Sequence, residues 1–192
     1  MDDADVDDIL ANAEKKKKKK RINSDRKGKR VERELAKVLN KRFEKILSEH
    51  TDWGRFSRTV GSGNRWGQNV QLGKKAKEFY SGDMVCPENF KFTIESKGGY
   101  EEIDLCSALD GGNAELNAFL EKATEDAKRC DKKPMLIWKK DRKPRLVFVK
   151  AKELSVRKIG KKSEYSVHYR DWIGVPYSFI FSLDDSFFFE EG

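Results

Sequence analysis

The sequence predicts an α/β fold, and three stretches carry that reading. From Lys27 to Leu47, Val31, Leu35, Val38, Leu39, Phe43 and Ile46 fall on one helical stripe. Gly82 to Lys97 reads as two short strands joined at Pro87-Glu88-Asn89, with Phe90, Phe92 and Ile94 alternating with polar residues. From Asn113 to Cys130, Leu116, Phe119, Leu120, Ala123 and Ala127 recur at helical spacing, and apolar strand-like runs follow. The coarse order is helix, strand, hairpin, helix, strand, strand.

Taken in order, residues 1–27 form a charged tail expected to be disordered. Its first ten residues are acidic, with Val6, Ile9 and Leu10 at helical spacing, and Lys15–Arg21 is seven consecutive cations that repel one another. A solubilising tail, a nucleic-acid-binding arm and a localisation signal are all open readings. In the first helix, Arg30, Arg33, Lys37 and Lys41 lie opposite the apolar stripe. At about 100° per residue, Glu32 falls inside the apolar arc and Glu34 well outside it. An inward glutamate needs a partner: it either snorkels at the stripe's edge or points into a polar site beside the hairpin. Asp52–Val60 is the expected first strand. Gly61-Ser62-Gly63-Asn64 follows, then a long loop to Ser81 that is either functional or mobile. Its Arg65, Trp66, Lys74, Lys75 and Lys77 suit a nucleic-acid backbone and an unstacked base.

Beyond the hairpin, Gly98–Gly112 is irregular. Met135–Trp138 and Arg145–Lys150 read as strands, the second with one wet face. Glu164–Tyr169 and Tyr177–Leu183 read as shorter late strands, and Phe187–Phe189 is expected to dock on this chain or on a partner. Residues 28–150 are the expected core, and 151–192 a C-terminal strand extension packed on it.

Composition narrows the function. The 192 residues are 39% charged with a net charge of +8, and the mean hydropathy is −0.82. That balance favours a polyanionic partner, nucleic acid first and an anionic membrane surface second. No run of eighteen apolar residues exists to span a membrane. The acidic N-terminus is unlike a secretory signal, so an intracellular protein is expected. Cys86, Cys106 and Cys130 show no metal-ligand pairing and read as free thiols. His50 and His168 stand in no Cys/His pattern, which argues against zinc.

The hairpin carries the chemistry. Period two puts Glu95 and Lys97 on one strand face, and the turn brings Asp83 beside Glu95. Two close carboxylates repel unless a cation separates them. A hard divalent ion answers that need through carboxylates, water and phosphate oxygens, and a neighbouring lysine can orient water or stabilise charge on phosphorus. Ordinary hairpin charges on a DNA-binding module are the competing reading.

An aspartate, about a dozen residues and then Glu-x-Lys resembles the core motif of the PD-(D/E)xK nucleases. Within that superfamily, Lys27-Gly28-x-x-x-Glu32-Arg33-x-Leu35 is similar to the first-helix signature of archaeal-type and phage-encoded Holliday junction resolvases. Gly61-Ser62-Gly63 resembles their small-residue loop near the scissile phosphate, and Gly82-Asp83 with Glu95-Ser96-Lys97 their catalytic hairpin. The match covers Lys27–Lys150. No Gln-x-x-x-Tyr element stands in the second helix, which speaks against the processive-exonuclease branch.

The resemblance implies a restriction-endonuclease-like core with a mixed central sheet, and a divalent-metal-dependent DNA endonuclease acting on branched DNA. It implies that Asp83, Glu95, the Ser96 carbonyl and Glu32 serve Mg2+ (or Mn2+). Lys97 would activate or position water, and Ser62 would meet the phosphate. Arg30, Arg33, Arg58, Arg65, Lys74, Lys75 and Lys77 are the candidate DNA contacts. It further implies a homodimer in the cytoplasm of a bacterial or archaeal host, and enzymes of this type are common in phage. Another repair, restriction-like or packaging nuclease on the same core is the alternative within the enzyme class.

Overall fold

A computed structural model of the chain describes residues 24–59, 81–99, 112–140, 142–154 and 163–190. The elements are α1 (Ser24–Arg42), α2 (Glu44–Glu49), β1 (Ser57–Arg58), β2 (Met84–Val85), β3 (Phe92–Gly98), α3 (Ala114–Arg129), β4 (Lys133–Lys139), β5 (Arg145–Lys150), β6 (Val167–Tyr169), β7 (Trp172–Pro176), α4 (Tyr177–Ile180) and α5 (Asp185–Phe188). The main sheet runs β3-β4-β5-β7-β6, with β1 and β2 as a separate antiparallel pair. β3 and β4 are parallel and joined through α3, while the other ladders are antiparallel. This is an α/β fold around a mixed sheet, compatible with a restriction-endonuclease-like domain.

Period two along the strands builds three layers. Ile94, Met135, Ile137, Val147, Val149 and Val175 face a core shared with α1 and the C-terminal phenylalanines. Leu136, Trp138, Phe148 and Trp172 face α3, meeting Leu116, Phe119, Leu120 and Ala123. α3 starts where its cap dictates: Asn113 Oδ1 accepts the N–H groups of Glu115 and Leu116 at 3.1 and 3.0 Å. Gly174 lets the Phe148 ring lie against the sheet, since a Cβ there would stand 2.5 Å from Phe148 Cε1.

Several expectations are corrected. α1 begins at Ser24, inside the segment read as a disordered tail. Its buried arc runs through Glu32, Leu35, Ala36 and Leu39 and is continued by Phe43 just past its end, leaving Val38 39% exposed on the rim. The strand expected over Asp52–Val60 shrinks to Ser57–Arg58. A 3-10 turn occupies Thr51–Trp53, Gly54 takes φ 78°, and the Asn40 amide occupies both the N–H and the C=O of Phe56. β2 ladders with β1, not with β3, so the expected hairpin is held by single contacts instead. β5 has no wet face, because Val147, Phe148 and Val149 are all buried between the two helical layers.

The strand expected over Tyr177–Leu183 is helical turn, and the last long strand is Trp172–Pro176, which the sequence reading passed over. Pro176 ends β7, and Arg42 then gathers the turn. Its guanidinium donates to the carbonyls of Phe181 and Leu183 at 2.5 and 2.7 Å and to Asp185 Oδ1 at 2.8 Å. Phe188 and Phe189 are buried on this chain, packed edge-on against Phe43 at 4.9 and 5.1 Å. Cys86 and Cys130 are free thiols, and Cys106 lies outside the described residues. Among the described residues no helix is long and apolar enough to cross a membrane.

Candidate active site

β3 is an edge of the main sheet, and the charged cluster assembles there. Gly82, at φ 74°, turns the chain into the edge so closely that a Cβ would stand 2.7 Å from the Ile94 carbonyl. Asp83 is then pinned three ways. Its N–H donates to Ile94 O at 3.0 Å, its carbonyl accepts from Thr59 N at 3.1 Å, and its Oδ2 accepts from Ser96 N at 2.9 Å. An edge strand leaves such an N–H without a ladder partner, and the carboxylate supplies one. Ser96 therefore meets Asp83 through its N–H, while the expectation for it concerned its carbonyl.

Glu95, 1% exposed, points toward α3. Lys97 Nζ lies 2.5 Å from its Oε1 and 3.8 Å from Asp83 Oδ2, and 5.5 Å from the centre of the Phe119 ring. Lys122 Nζ, from α3, donates to Oε2 at 2.5 Å and stands 3.5 Å from Asp126 Oδ2. Burial, then the like charge of Asp83, pushes the Glu95 carboxyl above its ordinary range, against the pull of the two lysines. Burial would lower the Lys122 ammonium, but the Glu95 and Asp83 carboxylates outweigh it and hold it above the ordinary lysine value.

Glu32 reaches the same edge from α1. Its Oε2 accepts from Arg58 Nε at 2.6 Å, with 12% and 18% of the two side chains exposed. Burial, then Asp83, raises its pKa, while Arg58 and Lys97 oppose the rise. Glu32, Asp83 and Glu95 thus face the cations Arg58, Lys97 and Lys122. The structure brings Glu32, Asp83, Glu95, Ser96, Lys97 and Arg58 together. Arg30 and Arg33 are exposed on α1, Arg30 beside Glu34 at 3.7 Å. Ser62, Arg65, Lys74, Lys75 and Lys77 lie outside the described residues.

Lys122 and Asp126 are the residues that sequence reasoning missed. Both flank the apolar arc of α3, on the side of Phe119, and an aspartate set at the edge of that arc four residues after a lysine was the available signal.

Among the described residues no group of three or more His, Cys, Asp or Glu side chains encloses a metal. The donors nevertheless suit a hard divalent ion, which needs one or two carboxylates and completes its shell with water and phosphate. Glu95 Oε1 is buried and accepts no hydrogen bond among the described residues. Its partner is the Lys97 ammonium, a cation already lying between the two carboxylates.

A family model described as "Phage putative PDDEXK endonuclease" matches residues 23–178. The chain belongs to this family. No curated protein matches it, and no solved structure does. The match extends past Lys150, where the sequence resemblance stopped, and takes in β6 and β7. As a PD-(D/E)xK endonuclease the protein is a nuclease whose substrate is DNA, and enzymes of this kind generally work with divalent metals.

Proposed function

We propose that this nuclease hydrolyses phosphodiester bonds of branched DNA, four-way junctions above all, in a reaction that depends on Mg2+ or Mn2+. The observation that supports the catalytic part is the convergence of Asp83, Glu95 and Lys97 at one sheet edge, with Lys97 Nζ between the two carboxylates. Asp83 and Glu95 would hold the ion, with the Ser96 carbonyl as a further ligand. When bound, the ion supplies Lewis-acid polarisation of the phosphate and an acidified water.

The protein's own groups do the rest. Water attacks phosphorus in line and gives up a proton to bulk solvent as its O–P bond forms, the P–O ester bond opposite it breaks, and the departing oxygen takes a proton from solvent. Lys97 orients that water and donates to the non-bridging oxygens as charge builds on them. Glu32 would serve the ion's site from the helix, held in place by Arg58 at 2.6 Å. Ser62 contacts the phosphate, while Arg30, Arg33, Arg65, Lys74, Lys75 and Lys77 neutralise the flanking backbone.

Junction specificity is supported by the first-helix pattern around Glu32, which resembles the resolvase signature. Two symmetric nicks need two sites, so a twofold dimer goes with this reading. The test is cleavage of labelled four-way junction, fork, flap, duplex and single strand, with Mg2+ and with chelator. Paired, symmetric, Mg2+-dependent nicks confined to the junction are expected. Equal cutting of linear duplex would leave the nuclease and remove the junction.

A further inference from the structure

We propose that Lys122 is a positioning residue of the metal site: by holding Glu95 Oε2 it leaves Oε1 as the one glutamate oxygen turned toward Asp83. The inference rests on reading Asp83 and Glu95 as the metal ligands. Each oxygen of Glu95 meets a different ammonium. Oε2 accepts a hydrogen bond from Lys122 at 2.5 Å. Oε1 instead faces Lys97 Nζ at 2.5 Å, on the side where that ammonium also stands 3.8 Å from Asp83 Oδ2.

Lys122 is itself anchored. Its Nζ is 3.5 Å from Oδ2 of Asp126, which is 3% exposed and held through Oδ1 by Arg129 at 2.8 Å. The chain Arg129–Asp126–Lys122 thus starts on the rigid body of α3 and ends on the glutamate. A glutamate has three rotatable bonds, and a buried one with both oxygens at liberty can swing or chelate. Mg2+ demands near-octahedral geometry, so a carboxylate fixed to offer one oxygen suits it better than a mobile one. Lys122 acts through Glu95 and touches no reacting atom.

The test uses the full chain and Mn2+ alone, titrated calorimetrically without DNA. Lys122→Met keeps the length of the stem and removes the donor, and it is expected to weaken Mn2+ binding about 10-fold, the usual cost of losing a ligand's orienting partner. Lys122→Arg, which retains charge and donors, is expected to stay within about 3-fold of wild type on the same scale. Asp126→Asn should fall between the two. In single-turnover cleavage the Mn2+ concentration giving half-maximal rate should rise with the dissociation constant in Lys122→Met, and the rate at saturating Mn2+ should change less.

Lys122→Met binding Mn2+ as tightly as wild type, or more tightly, overturns the proposal, since Lys122 would then be only a competing charge. An Arg variant no better than the Met variant overturns it as well. If circular dichroism shows Lys122→Met unfolded, Asp126→Asn decides, and wild-type affinity there is the contrary result. A wild-type protein that binds no Mn2+ and cuts no DNA sinks the functional reading itself. One that binds and cuts beside an unaffected Lys122→Met sinks only the role of Lys122.

Discussion

Arg58→Ala probes the inward-facing glutamate. Arg58 Nε lies 2.6 Å from Glu32 Oε2, and the two side chains are 18% and 12% exposed. Removing one partner of a fully buried pair costs about 3–5 kcal/mol. Some water reaches both groups, so about 2–3 kcal/mol is expected here. The loss must depend on pH. Burial and Asp83 already raise the Glu32 pKa above 4.5 and Arg58 opposes them, so its removal lifts the folded-state value further. A carboxyl whose folded pKa is raised contributes stability that is full below its unfolded value and lost as pH rises through the folded one. The deficit of Arg58→Ala should therefore be small near pH 4.5 and larger at neutral pH, growing as pH rises through the raised folded-state value of Glu32.

The assay is urea unfolding of the metal-free protein at both pH values. Glu32→Gln, which keeps an acceptor for Arg58, should cost about 1 kcal/mol. The double variant should be less destabilised than the sum by about 1–2 kcal/mol. A single-variant loss under about 0.5 kcal/mol at both pH values, with an additive double variant, would refute the reasoning.

Gly82→Ala places a Cβ 2.7 Å from the Ile94 carbonyl at φ 74°. It should cost about 2 kcal/mol in urea unfolding and, by displacing Asp83, about 100-fold in cleavage rate; an active, stable variant would show the turn to be dispensable. Phe188→Ala removes a fully buried ring packed on Phe43, Phe181 and Phe187, and unfolding should show a loss of about 3–5 kcal/mol. Metal-free wild type should lose stability as pH rises above 4.5, because Glu32 and Glu95 both have raised folded pKa values. Asp83→Asn, which removes the like charge, should make that decline shallower, and an unchanged slope would count against the assigned cause.

What the sequence disclosed was local. α3 was legible because its cap at Asn113 and its apolar repeat lie within one stretch, and β5 because Pro144 and the Leu-Val-Phe-Val run bound it. Glu32 was legible as inward because helical period fixes angle. What it hid depends on partners distant in the chain. The alternation of Tyr177, Phe179, Phe181 and Leu183 satisfies a strand, and only Arg42, across the fold, gathers it into a turn. β5 reads as half wet until α3 and the C-terminal phenylalanines cover its two faces. Arg58 reads as a cation for DNA, and its ion pair with Glu32 is a tertiary fact. Lys122 reads as a solvated helix charge because Glu95, its partner, arrives from the sheet.

Metal-dependent scission of DNA by wild type, Asp83→Ala and Lys97→Ala, each paired with a gel-shift measurement of binding, tests the central claim most directly. Wild type should cut with Mg2+ or Mn2+ and stop with chelator, and both variants should lose cleavage while still binding DNA with strong salt dependence. Full activity in either variant would contradict the site, and salt-dependent binding without scission by wild type under any divalent metal would contradict the catalytic account.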